Sequence, residues 1–171
     1  MVIQPHPDGA TSKLIPLNCA VLTVSDTRTA ETDKSGSLAK TKLEGAGHRS
    51  AHYRILPDEP DRIAPVVRTW SADPAVDVII LSGGTGIAPR DTTYAAIATL
   101  LHKTIPGFGE LFRQLSYQEI GSRAMTSRAI AGTFNSALIF SLPGSSNAVR
   151  LALDALILPE LRHLHRLLNP Q

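Results

Sequence analysis

The sequence predicts a three-layer α/β/α sandwich built on a mostly parallel sheet, and three observations predict it. Short apolar runs alternate with stretches of helical period over one domain length of 171 residues. One run, "DVIILSG" (77–83), is apolar on both faces, as a central parallel strand covered by helices must be. Polar, glycine-rich segments follow these runs at one end only, while the opposite ends, such as "PAVD" and "TFNS", hold few such groups. In a parallel sheet the strands' carboxyl ends share one edge, and ligands bind there.

Each element follows from its residues. Residues 1–16 hold three prolines and no period, so a mobile arm is expected ahead of a single domain over 17–171. "NCAVLTVSD" (18–26) reads as a buried strand. "SGSLAKTKLEGAG" (35–47) reads as a helix stopped by Gly45 and Gly47. "HRSAHYRIL" (48–56) alternates like an edge strand. In 58–73, acids and Pro60 open a helix with Ile63, Val66, Val67 and Trp70 on one face, and Pro65 is placed to kink it. After the strand at 77–83, "TTYAAIATLLH" (92–102) is helical, with Asp91 or Thr92 as cap. "GFGELFRQLSYQEIG" (107–121) gives another helix, with Leu111, Leu115 and Ile120 expected toward the core. "SALIFSLPG" (136–144) is a buried strand, and 145–168 a long helix interrupted near Pro159.

Bulk properties exclude several classes. Lys and Arg number 17 against 15 acids, a net charge of +2 spread along the chain, so no nucleic-acid partner is expected. A single cysteine, Cys19, forbids an internal disulfide and fits a reducing compartment. No leader pattern and no apolar run of ~20 residues is present, so a cytoplasmic location without membrane contact is expected. The six histidines show no ligand spacing, and Cys19 and Trp70 read as packing residues.

Four strand ends read "TVSDTR" (23–28), "LPDEP" (56–60), "LSGGTGIAPRD" (81–91) and "SLPGSSN" (141–147). Gly83, Gly84 and Gly86 would let backbone amides meet an anion, with Thr85 adding a hydroxyl. Ser145 at a helix start offers a second anion position. Asp26, Asp58 and Asp91 lie in three of these loops, and carboxylates beside a phosphate call for a cation such as Mg²⁺. Taken singly each feature has a plain structural reading: a tight turn, a helix cap, a surface ion pair. Their placement on one edge is what points to a phosphate-bearing ligand. A P-loop is excluded because Ile87, Ala88 and Pro89 stand where Lys and Ser or Thr are needed. A dinucleotide fingerprint fails at Pro89.

"LTVSDTRTAETDKSG", "LSGGTGIAPRDTT", "PGFGELFRQLSYQEIG", "SRAMTSRAIAG" and "LIFSLPGSSNAVRLAL", in this order from about residue 17 to 162, resemble the MoaB/MogA family of molybdenum cofactor biosynthesis proteins, with the closer likeness to the MoaB type. The resemblance implies a molybdopterin-binding domain assembled as a trimer or hexamer, working beside other cofactor-biosynthesis enzymes. It implies adenylylation of the substrate molybdopterin with ATP as co-substrate and Mg²⁺, releasing pyrophosphate; a non-catalytic delivery module is the alternative. Asp58 and Asp91 match the family's two functional aspartates, as catalytic and metal-binding residues, and Gly83, Gly84, Thr85 and Gly86 its phosphate loop. Ser25, Asp26, Ser35, Gly36, Ser127, Arg128, Gly132, Pro143, Gly144 and Ser145 match other cleft positions. Arg128, with Arg90, is expected to spread charge developing on phosphate. After "LPGS" the family carries Pro and then Gly, Lys or Gln, where this chain has Ser146 and Asn147.

Overall fold

Aliphatic runs and helical stretches alternate along the chain in a computed structural model, which describes residues 15–170. All but the last two residues of the arm expected over 1–16 lie outside the described residues. The order is β1 (Asn18–Val24), α1 (Lys34–Gly45), β2 (Arg49–Leu56), α2 (Pro60–Ala72), β3 (Val78–Ser82) and α3 (Thr93–Leu100). Then come β4 (Lys103–Thr104), α4 (Pro106–Ile120), β5 (Ile130–Phe134), β6 (Ala137–Leu142), α5 (Ser146–Ala152) and α6 (Leu158–Leu168).

The six strands stand in the order β2-β1-β3-β6-β5-β4. The first four are mutually parallel, and β5 and β4 run against them as an antiparallel margin. Cys19, Val21, Val78, Ile80, Leu138 and Phe140 face one layer, formed by α1, α4, α5 and α6. Alternate residues Ala20, Leu22, Ile79, Leu81 and Ile139 face α2 and α3. Period-two alternation of wholly apolar strands therefore fills two cores, which is why β1, β3 and β6 carry no polar face until their carboxyl ends.

Local signals hold for most helices. Pro60 opens α2, which buries Ile63, Val67 and Trp70, with Val66 at the margin. The helix continues through Pro65 rather than stopping there. The carboxyl-terminal helical stretch is interrupted as expected, but by a π-helical turn at Leu153–Ile157 that precedes Pro159, which then lies in the first turn of α6.

The expectation for α4 is corrected. Phe108 and Phe112 are buried and Leu115 partly so, whereas Leu111 and Ile120 are 49% and 45% exposed. The two phenylalanines, at i and i+4, fix the inward face, and Phe108 meets Phe140 edge to face. Leu111 is turned outward with Tyr117 and Met125. The sequence also gave no sign of β4 and β5. β5 is five residues with a central glycine, and pairing with β6 and β4 rather than its own pattern makes it a strand.

The amino edge of the sheet holds a buried titratable group. His48 is 4% exposed and its Nδ1 accepts the Leu17 amide at 3.2 Å. Burial, then the Arg162 charge, lowers its pKa to about 4 against a partial offset from Asp77. The unfolded chain therefore binds this proton near pH 6.5 and the folded chain only near 4, so stability falls as pH drops through that window. Urea unfolding between pH 7 and 4 should show this decline, and His48→Gln should flatten it; an unchanged slope in the variant would remove His48 as its source.

Candidate functional site

Because β1, β2, β3 and β6 are parallel, the loops that leave them emerge on one edge. That edge gathers Ser25 and Asp26 after β1, Asp58 after β2, Gly83–Asp91 after β3 and Pro143–Ser145 after β6. Ser127 and Arg128 reach it from the amino end of the reversed strand β5, whose Ile130 pairs with Ser141.

The loops are tied together by their own polar groups. Asp26 Oδ1 accepts the Asp58 amide at 3.1 Å, and its other oxygen pairs with Arg90. Asp26 so links three loops. Ser25 Oγ accepts the amides of Thr27 and Arg28 at 3.3 and 3.2 Å and shapes the first turn of its loop. Asp58 accepts the hydroxyls of Thr92 and Thr93 at 2.9 and 2.8 Å, together with the Thr92 amide. Thr92 occupies the N-cap position of α3 without a capping bond of its own, so Asp58 caps that helix from a neighbouring loop. Asp91 Oδ2 accepts the Ala88 amide at 3.0 Å.

The glycines prove to be required by the protein itself. Gly83 has φ +114° and Gly84 φ +62°, both left-handed. A Cβ on Gly83 would strike the Val24 carbonyl, and one on Gly84 would strike Thr93 and Asp58. At Gly86 it would meet the Asp91 carboxylate. The close approach inferred for a ligand is thus made already by adjacent loops. Arg128 completes this packing: it donates from Nε and Nη2 to the carbonyls of Thr85 and Gly86 and lies over the Tyr94 ring, 4.6 Å from its centre. Those bonds make it first a clamp on the glycine loop, and Arg90 is spent on Asp26.

Ser145 caps α5 by accepting the Ala148 amide at 3.1 Å. Asn147 turns away from the loop. Its amide donates to Glu119 on α4 at 2.7 Å, and its oxygen accepts from Arg150 at 2.7 Å. Gly132 stands apart from the edge, buried in mid-β5, where a Cβ would strike the Lys103 carbonyl of β4. Strand packing accounts for it.

Sequence reasoning missed the most buried polar cluster of the edge. Asp33 is 1% exposed and accepts from Thr23 at 2.5 Å, Tyr53 at 2.7 Å, Gly36 N at 3.0 Å and Ser35 at 3.1 Å. Burial opposes its ionisation, but the bonds from Thr23, Gly36, Tyr53 and Ser35 outweigh it and hold the carboxyl below its usual range. Burial first, and then Asp33, push the Tyr53 phenol upward. Gly36 belongs here: a Cβ would strike Asp33 and Thr23. An Asp two residues before Ser-Gly at a helix start is the signal that could have found it.

Among the described residues no group of three His, Cys, Asp or Glu side chains is placed to hold a metal ion. No helix there is long and apolar enough to cross a membrane. The edge combines glycine-loop amides, hydroxyls at Thr85 and Ser145 and the carboxylates of Asp58 and Asp91, a set suited to a phosphate ester with its counter-ion.

Comparison with known proteins gives the same direction. A family model described as a probable molybdopterin binding domain matches residues 20–163. The chain is 51% identical to molybdenum cofactor biosynthesis protein B of Bacillus subtilis over 167 residues, covering 97% of this chain and 96% of that protein. A crystal structure of a molybdenum cofactor biosynthesis protein B superposes with a TM-score of 0.91 at 50% identity, over 94% of this chain and all of that one. The tungsten cofactor synthesizing protein MoaB from Pyrococcus furiosus gives 0.77 at 35% identity, over 87% of this chain and 94% of that one.

Proposed function

Because the chain belongs to the molybdopterin-binding-domain family of molybdenum cofactor biosynthesis proteins, we propose that it serves that biosynthesis by binding molybdopterin at the carboxyl edge of its sheet and adenylylating it with Mg-ATP. The observation that supports this best is the convergence of the glycine loop, Asp58 and Asp91 on one edge, where Asp91 accepts the Ala88 amide and Asp58 the hydroxyls of the two residues that follow Asp91.

The reaction needs no protein nucleophile. A phosphate oxygen of the pterin attacks the α-phosphorus of ATP, the bond from that phosphorus to the bridging oxygen breaks, and pyrophosphate leaves with the electron pair. The chain contributes position and charge compensation. Thr85 and the amides of Gly84 and Gly86 would bind one phosphate. Arg128 keeps that loop in shape and lends its charge through it. Mg²⁺ would offset the charge on the phosphates when bound. Asp91 suits it because only one of its oxygens is engaged by a protein donor, whereas Asp58 accepts two hydroxyls and an amide. Asp58 would act beside Asp91 by holding Thr92 and Thr93 in place.

That prior engagement of Asp58 favours a second reading: the cleft holds the pterin for delivery and does no chemistry. Pyrophosphate release from wild-type protein given molybdopterin, ATP and Mg²⁺ decides between them. Release supports transfer; tight pterin binding without release leaves delivery.

The same reading includes a cytoplasmic trimer or pair of trimers that hands its product to other enzymes of the route. Tyr117 and Met125, exposed on and beside α4, border a groove of about 360 Å³ lined also by Arg113, Gln114 and Ala124, and together with exposed Leu111 they support such an interface. Light scattering should give three or six times the chain mass of 18.3 kDa at micromolar concentration. A mass equal to one chain would remove the assembly.

A further inference from the structure

The Arg28 side chain has no part in the contacts assigned above, yet it joins two loops 116 positions apart. One arm of its guanidinium donates to Ser35 Oγ at 2.5 Å and the other to the Gly144 carbonyl at 3.0 Å. Asp33 braces it: the carboxylate lies 3.5 Å from Nη1 and is itself fixed by four donors. Gly144 in turn lies against the glycine loop. A Cβ on it would sit 3.2 Å from Gly83 Cα, and the Gly83 amide donates to the Leu142 carbonyl at 2.9 Å. A trans peptide is planar, so fixing the Gly144 carbonyl toward Arg28 directs the Ser145 amide the opposite way. Any shift of the Pro143–Ser145 turn would be felt at Gly83.

Resting on the reading of this edge as a phosphate-binding cleft, we propose that Arg28 is a positioning residue, braced by Asp33, which sets the spacing between the Pro143–Ser145 turn and the glycine loop. Its role is geometric because its charge is already compensated by Asp33 beside it. A planar fork can hold Ser35 and Gly144 at once; the single ammonium of a lysine cannot reproduce both directions.

The test compares Arg28→Ala and Arg28→Lys in the full chain. Without ligand, the amides of Gly83 and Ala148, bonded to Leu142 and Ser145, should exchange at least tenfold faster in both variants, with the urea midpoint nearly unchanged. Molybdopterin affinity should fall about tenfold in both. Wild-type exchange rates in Arg28→Ala would overturn the proposal. Wild-type affinity in Arg28→Lys would also overturn it, since charge alone would then suffice. If wild-type protein binds no molybdopterin, the functional reading fails, while the exchange rates still decide whether Arg28 positions the turn.

Discussion

Asp91→Asn should lower pyrophosphate release by roughly a hundredfold or more, about 2.7 kcal/mol in the barrier, the scale of one preorganised electrostatic contact. The fold of the loop should survive, because an asparagine oxygen can still accept the Ala88 amide that Asp91 accepts at 3.0 Å. What is lost is the charge offered to the counter-ion of the phosphates. Pterin binding should stay near wild type or rise slightly, since a negative group leaves an anion site. The kinetic signature is a fall in kcat and kcat/KM together, as for an interaction made in the transition state. A delivery protein would instead show a change in affinity and nothing more. Pyrophosphate release and pterin binding, measured side by side on wild type and Asp91→Asn, check this. Equal release rates would take Asp91 out of the mechanism.

The second large effect is on stability. Asp33→Ala strips the acceptor from Thr23, Tyr53, Ser35 and the Gly36 amide in a site from which water is excluded. It also removes the α1 cap and the anion beside Arg28. Unsatisfied buried donors cost about 1–3 kcal/mol each and a lost cap about 1, with incomplete additivity, so a loss of about 3–5 kcal/mol is expected. Asp33→Asn should recover little, because its amide would face a donor on one side. Urea unfolding measures the loss, and a change under about 1 kcal/mol would refute the network. The pH dependence has a definite sign. A carboxyl held below its unfolded value near 3.8 contributes fully above that pH, and the contribution is lost as pH falls through the folded value. Wild type should lose this part only in strong acid, and Asp33→Ala should lack it.

Much of this was legible in the sequence, for physical reasons that differ by element. β1, β3 and β6 could be read because strands covered on both faces must be apolar throughout, and their polar ends then mark one edge. β5 could not, since the pairing that makes "IAGTF" a strand lies in its neighbours. On α4, Leu111 and Phe112 are adjacent and both apolar, and only the position of Phe140 in the sheet decides which turns inward. At the glycines the sequence shows only that a close approach is needed, and not that Val24, Asp58 and Thr93 make one from within the fold. Asp33 was passed over because a buried carboxylate is recognised by its donors, and Tyr53 stands 20 residues away.

The two margins of the sheet have a bearing on how copies of this chain meet. An open strand edge is a template on which another chain can add a strand, and long flat edges invite aggregation. Here one margin, β4, is only two residues long and carries Lys103. The other, β2, is longer but exposes Arg49, His52 and Arg54 along its length. Neither offers an uncharged run for pairing, so accretion strand upon strand is blocked on both sides. A strand ladder can grow without limit by adding chains at its edge, whereas a contact between helical layers has no such repeating template.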